Sequence, residues 1–146
     1  MGYIEANLLP GEAVVQRARL HWIVFLKALA VFVAGLGLLY FDPKLIGVIV
    51  MAFGLLMALP PWIERVSSEF GVTSKRVIIK VGVIKRRTLE LLIRQVEAIS
   101  VDQSLTGRML NYGTITLTGT GGVKETFHNI SHPLEFRRSI QSLSAE

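Results

Sequence analysis

Two apolar runs, Trp22 to Phe41 and Leu45 to Ile63, stand apart from the rest of the chain, and only Asp42-Pro43-Lys44 separates them. As helices rising about 1.5 Å per residue they would be roughly 30 Å and about 28 Å long, close to the thickness of a bilayer core. The second run is uncharged, and the first carries only Lys27, near its start, where a long cationic side chain reaches back to the headgroups. Neither run shows the apolar stripe of a soluble surface helix. The pattern predicts a two-helix transmembrane hairpin over 22–63, with spans at 22–41 and 45–63. A signal peptide is not expected, because mostly polar residues precede the first run, no small-residue cleavage site follows it, and a second apolar run comes at once.

Within this hairpin Ala30, Ala34 and Gly37 share a face of the first helix, and Gly47, Gly54 and Ala58 share a face of the second. Small residues let helix backbones approach closely, so these faces are expected to pack against each other rather than against another copy. Pro60-Pro61 is expected to end or bend the second helix. Arg17, Arg19 and Lys27 flank one end of the hairpin and Arg65, Lys75 and Arg76 follow it, whereas the connecting turn offers Lys44 alone. By the positive-inside rule both termini are then cytoplasmic, in the inner membrane, with Trp22 and Trp62 at one interface and Tyr40 and Phe41 at the other.

From Ser67 onward the apolar period shortens to two. Strands are expected at Ser67 to Thr73, Arg76 to Val81, Lys85 to Leu92, Val96 to Asp102, Gly113 to Thr118 and Val123 to His128, with turns at Gly82 and Gly119 to Gly122. Val77, Ile79, Val81, Leu89, Leu91, Ile99, Val101, Ile115, Leu117, Val123 and Phe127 would face inward. A helix closes the chain: Pro133 suits its first turn, Glu135 its positive end, and Phe136, Ile140 and Leu143 fall on one face. The expected architecture is therefore a membrane protein with a cytoplasmic N-terminal segment at 1–21, the hairpin at 22–63, and at 64–146 an all-β antiparallel barrel or sandwich plugged by one C-terminal α-helix.

Charge adds a neighbour to this picture. The formal net charge is +5, and a basic domain beside a membrane is attracted to anionic lipid headgroups, by about 1 kcal/mol per well-placed Lys or Arg. Nucleic acid is not expected as a partner of a membrane-tethered domain. The chain has no cysteine, which removes disulfides and thiol chemistry. His21, His128 and His132 form no metal-ligand spacing, there is no HExxH, and Gly119-Thr-Gly-Gly122 joins two strands rather than preceding a helix. Neither an enzyme nor a cofactor or metal is expected.

The order of several segments resembles a known family. These are Gly11-Glu12 running into His21-Trp22, the hairpin, Glu69-Phe-Gly-Val-Thr73 with Arg76-Val-Ile-Ile-Lys80, Val101-Asp-Gln-Ser104 with Gly107-Arg108 and Tyr112-Gly-Thr114, and Gly119-Thr-Gly-Gly122. Together they are similar to bacterial membrane-anchored pleckstrin-homology (PH)-like proteins of the YdbS type. The resemblance implies a seven-stranded PH-like barrel with one C-terminal helix, and it supplies no catalytic residues. Six strands follow the hairpin, so Glu12 to Leu20 is either the seventh strand, which would make the hairpin an insertion in the barrel, or a short amphipathic helix entering the membrane.

By the same resemblance the basic hairpins, with Lys75 and Arg76 on one and Lys85, Arg86 and Arg87 on the other, form the candidate site for anionic lipid, phosphatidylglycerol or cardiolipin. The alternative is a membrane scaffold or assembly subunit that recognises a peptide or protein by the sheet edge and C-terminal helix. Gln103, Arg108 and Tyr112 are its candidate partner-binding residues. A pore, requiring oligomers and resting on Lys27, is a third class.

Overall fold

A computed structural model describes residues 2–82 and 86–145 of the chain. They divide into two units, Met1–His21 with Ser67–Glu146, and Trp22–Val66. In chain order the elements are α1 (Tyr3–Ala6), β1 (Val14–Ala18), a 3-10 turn at Trp22–Phe25, α2 (Leu26–Leu38), α3 (Lys44–Ser67), β2 (Glu69–Thr73), β3 (Arg76–Val81) and β4 (Arg87–Leu92). A 3-10 turn at Ile93–Gln95 leads to β5 (Val96–Asp102), α4 (Leu105–Leu110), β6 (Tyr112–Gly119), β7 (Lys124–Ser131) and α5 (Pro133–Ser144).

The strands form two antiparallel sheets, ordered β1-β2-β3-β4 and β5-β6-β7. The stretch left open between strand and helix is β1, paired with β2 from Val14↔Thr73 to Ala18↔Phe70, so residues 22–66 are inserted between two neighbouring strands. Ala18, Phe70, Val72, Val77, Ile79, Ile115, Leu117, Phe127 and Ile130 meet in one core. Each fully buried Val, Leu, Ile or Phe contributes about 1.5–3 kcal/mol of transfer free energy. Alternation alone would leave Ile78 in water, yet it is fully buried. Its cross-strand partner is Gly71, and Ile4 of α1 lies so close over Gly71 that an added Cβ would come within 2.6 Å of it. Glu69 fixes α1 there by accepting the N–H groups of Tyr3 and Ile4 at 2.9 and 3.2 Å.

A barrel closed on itself with a single C-terminal helix is not what forms. No strand pairing among the described residues joins β4 to β5, and the sheets are bridged at the other side only by Leu20↔Ile130. The space between them is filled by α5, whose Phe136 and Ile140 are buried in the shared core. Once a helix covers these side chains, edge-to-edge closure is not needed to keep them dry. α5 is one of five α-helices among the described residues. Val123, expected inward, precedes β7 and is exposed.

The unit Trp22–Val66 also departs from the expected two spans. Among the described residues only α3 is long and apolar enough to cross a membrane; the apolar helical stretch before it, Trp22–Leu38, is shorter. The first run begins as a 3-10 turn, and its α-helical part has 13 residues, about 20 Å of rise against a bilayer core of about 30 Å. Pro43 disfavours helical geometry at Asp42, and the helix ends at Leu38. Conversely, α3 does not end at Pro60 and Pro61 but continues to Ser67, since proline's fixed φ is compatible with helical geometry.

The two helices of this unit run antiparallel at close range. A Cβ on Gly35 would lie 2.6 Å from the Met51 backbone nitrogen, one on Gly47 2.9 Å from the Gly35 carbonyl oxygen, and one on Gly54 2.7 Å from the Phe32 nitrogen. The contact face on α2 is Ala28 and Gly35 rather than Ala30, Ala34 and Gly37; Gly37 faces open space. Ala28 and Gly35 are two helical turns apart, as are Gly47 and Gly54, which gives one small-residue seam.

Candidate functional site

The five basic positions do not converge. Lys75 and Arg76 lie at the β2-β3 turn, while Arg86 and Arg87 lie at the other end of β3, where Val81 pairs with Arg87 and Arg76 with Leu92. Strand rise puts about 17 Å between the two ends. Lys85 lies outside the described residues. Arg87 is held by Glu125 of β7 at 2.6 Å, and Lys75 donates to the Pro10 carbonyl at 3.3 Å. Arg86 is exposed and has no ion-pair partner among the described residues.

Arg76 is spent on carboxylates. Its Nε donates to Glu12 Oε1 at 3.0 Å, Nη1 to Glu90 at 2.5 Å, and Nη2 to the Asn7 carbonyl at 2.6 Å. The Glu12 side chain is wholly buried, and it also accepts from the Thr73 hydroxyl and, at 2.8 Å, from the Leu9 N–H. Burial opposes its ionisation, but the hydrogen bonds from Arg76, Thr73 and Leu9 outweigh burial and hold the carboxyl down to about 2. This cluster ties the segment before β1 to the β2-β3 turn. Sequence reading missed it, since Glu12 and Arg76 are 64 residues apart.

A folded pKa below the unfolded one means that the unfolded chain binds more protons in acid. The Glu12 contribution is present above about pH 4.5 and disappears as pH falls towards 2. It amounts to about 3 kcal/mol. Urea unfolding of the full chain, followed by the strand signal in circular dichroism, is expected to show this loss, and Glu12→Gln is expected to flatten the pH slope. An unchanged slope in that variant would dismiss the assignment.

A different cavity, of about 390 Å³, lies at the α4 end of the three-stranded sheet, lined by Asp102, Gln103, Ser104, Tyr112, Gly113, Thr114 and Asn129. Its geometry follows from local sequence. Ser104 caps α4 by accepting the Gly107 N–H at 3.1 Å, and Asn111 ends the helix in the left-handed region with φ 61°. Gln103 Nε2 donates to the Gly107 and Tyr112 carbonyls at 3.3 and 3.0 Å, clamping α4 to the start of β6. Gly113 leaves the wall open: a Cβ there would meet the Asp102 carbonyl oxygen at 2.8 Å and Pro133 of α5 at 3.2 Å. The Tyr112 ring stacks on His21 with centroids 5.1 Å apart, and its hydroxyl bonds Thr106 at 3.2 Å.

Other polar groups of the lining take no part in this framework. The side chains of Asp102 and Asn129 have no hydrogen-bond or ion partner among the described residues, and Asn129 has φ 56°, uncommon outside glycine. Thr114 Oγ1 bonds His128 Nδ1 at 3.1 Å. Of the candidate partner residues, Gln103 and Tyr112 line the cavity, whereas Arg108 is exposed on α4 and does not. Thr114 and Asn129 were not singled out in the sequence. Their place depends on the β6-β7 register, which slips between Gly113 and Ile115. The helix α4 was not among the elements expected from the sequence, although Ser104 and Asn111 are ordinary cap residues.

Two sheets with a C-terminal helix packed on their shared core make up the domain that carries this cleft. The family described as "Bacterial PH domain" matches residues 23–144, and the chain belongs to that family. A crystal structure of a DUF1696 family protein with a pleckstrin-homology domain, from Shewanella loihica PV-4, is 17% identical with a TM-score of 0.41, covering 62% of this chain and 90% of its own. No curated protein matches the chain.

Proposed function

We propose that this bacterial PH domain is a membrane-attached docking module, not an enzyme, and that it recognises a protein partner in the cleft lined by Gln103 and Tyr112. The observation that carries the reading is the presence of the unpartnered Asp102 and Asn129 side chains around a cleft whose walls are already fixed by hydrogen bonds. Preorganised walls lower the ordering cost of binding, and an acceptor carboxylate beside an amide suits a peptide with amide and basic donors. Recognition of anionic lipid by the basic hairpins is the weaker reading, since Arg76 and Arg87 already serve Glu12, Glu90 and Glu125.

Attachment rests on the apolar Trp22–Val66 unit, in which α3 has the length and composition of a span; because β1 and β2 at its two ends pair in one sheet, both ends of the unit lie on one side of the bilayer. Arg17, Arg19 and Arg65 flank those ends while Lys44 alone lies between the helices, a bias that supports a cytoplasmic domain at the inner membrane. The test is a photo-crosslinking residue at Asn129 of the full-length chain in cells. A discrete protein adduct is expected, lost with Asp102→Arg, a change at an exposed, unpaired position expected to alter stability by less than about 0.5 kcal/mol. Adducts to lipid alone would sink the protein-docking reading and favour the lipid one.

A further inference from the structure

We propose that α4 dips its outer face into a lipid bilayer, so that the docking cleft is held at the membrane surface by an apolar wedge. Soluble surfaces seldom leave neighbouring large apolar side chains open to water, yet Leu105 is 80% exposed and Met109 85% exposed on a helix of six residues. They are four apart and therefore on one face. The inner face is committed: Gly107 is buried, Ser104 accepts its N–H, and Thr106 bonds the Tyr112 hydroxyl. The helix is thus anchored by polar groups and apolar towards solvent, the reverse of an ordinary surface helix.

The chemistry of the patch selects a bilayer rather than a protein as its occupant. Arg108 sits between Leu105 and Met109 in sequence, is exposed, and has no ion-pair partner among the described residues. A guanidinium beside two flexible apolar chains matches lipid phosphates above acyl chains, the pattern of helices that lie in the membrane interface. The proposal rests on the reading that the apolar Trp22–Val66 unit lies in a bilayer.

The absence of native cysteine makes the test direct, because one introduced thiol takes a label alone. The full-length chain would carry Met109→Cys, Thr120→Cys or Phe53→Cys, each labelled with an environment-sensitive fluorophore. Vesicles of phosphatidylcholine and phosphatidylglycerol would contain acyl-chain nitroxide quenchers. Met109 and Thr120 are exposed, so neither change touches the core. The expected result is loss of emission at 53 and 109 with little at 120, which lies beyond the far end of β6. Quenching at 53 alone would overturn the wedge while leaving the membrane reading intact. Quenching at none of the three would overturn both, and equal quenching at 109 and 120 would overturn the assignment to α4.

Discussion

Arg76→Ala is expected to destabilise the strand-bearing unit by about 3–5 kcal/mol, the cost of stranding a buried charge. Removing the guanidinium strands the Glu12 carboxylate, whose side chain has no exposed surface, and frees Glu90 and the Asn7 carbonyl at the same time. Most of the loss comes from the orphaned carboxylate and little from the attraction itself. Glu12→Gln with Arg76→Met should therefore recover much of what Arg76→Ala loses, because a neutral amide in that position tolerates an apolar neighbour better than a carboxylate does. Amide exchange at Val77 and Ile79 in the full-length chain reads the effect, since both residues are buried in β3 immediately after Arg76. If Arg76→Ala exchanges like the wild-type chain, the cluster does not hold the segment before β1 to the β2-β3 turn.

The second large effect is expected at Phe136. Its side chain is fully buried in the core between the sheets, and truncation to Ala should cost about 3–5 kcal/mol for lost transfer energy and the cavity left behind. A closed barrel would tolerate such a change better, because paired strands would still cover the core. Here α5 covers the core that the two sheets share, so water entry follows its loosening. Pro133 at the start of α5 also stands beside Gly113 in the cleft wall, which couples the helix to the docking site. Phe136→Ala should weaken crosslinking from Asn129 as well as protection of β6, whereas Arg138→Ala, at an exposed position of the same helix, should change stability by less than about 0.5 kcal/mol.

Strand positions were legible wherever one face is buried and the other wet. Val96–Asp102 falls where the period of two places it, and Phe136 and Ile140 are buried on the face that the helical period selects. Legibility stopped where a residue's environment comes from a distant segment. Ile78 breaks the alternation because Ile4 covers that side of the sheet, and Arg76 looked like a free cation because its carboxylate partner is 64 residues away. Small residues at helical spacing correctly announced a close helix pair, but not which of them would meet, since Gly35 rather than Gly37 faces Gly47. Of the cleft, Gln103 and Tyr112 could be named from their polarity beside loop residues. Asn129 could not, because its left-handed backbone and its neighbours are set by the strand register.

The sequence by itself determined the local order of this protein. Period and cap residues decide which short stretches become strands and helices, and an uncharged apolar segment after Lys44 makes a helix long enough to cross a membrane, because these signals act over a few residues. Tertiary structure alone decided that the strands divide into two sheets with α5 between them, that Arg76 is neutralised, that the basic hairpins point to opposite ends of β3, and that Asp102, Gln103, Tyr112 and Asn129 share a cleft. Those outcomes depend on contacts between segments far apart in the chain, where burial and charge pairing are settled by what arrives on the other side.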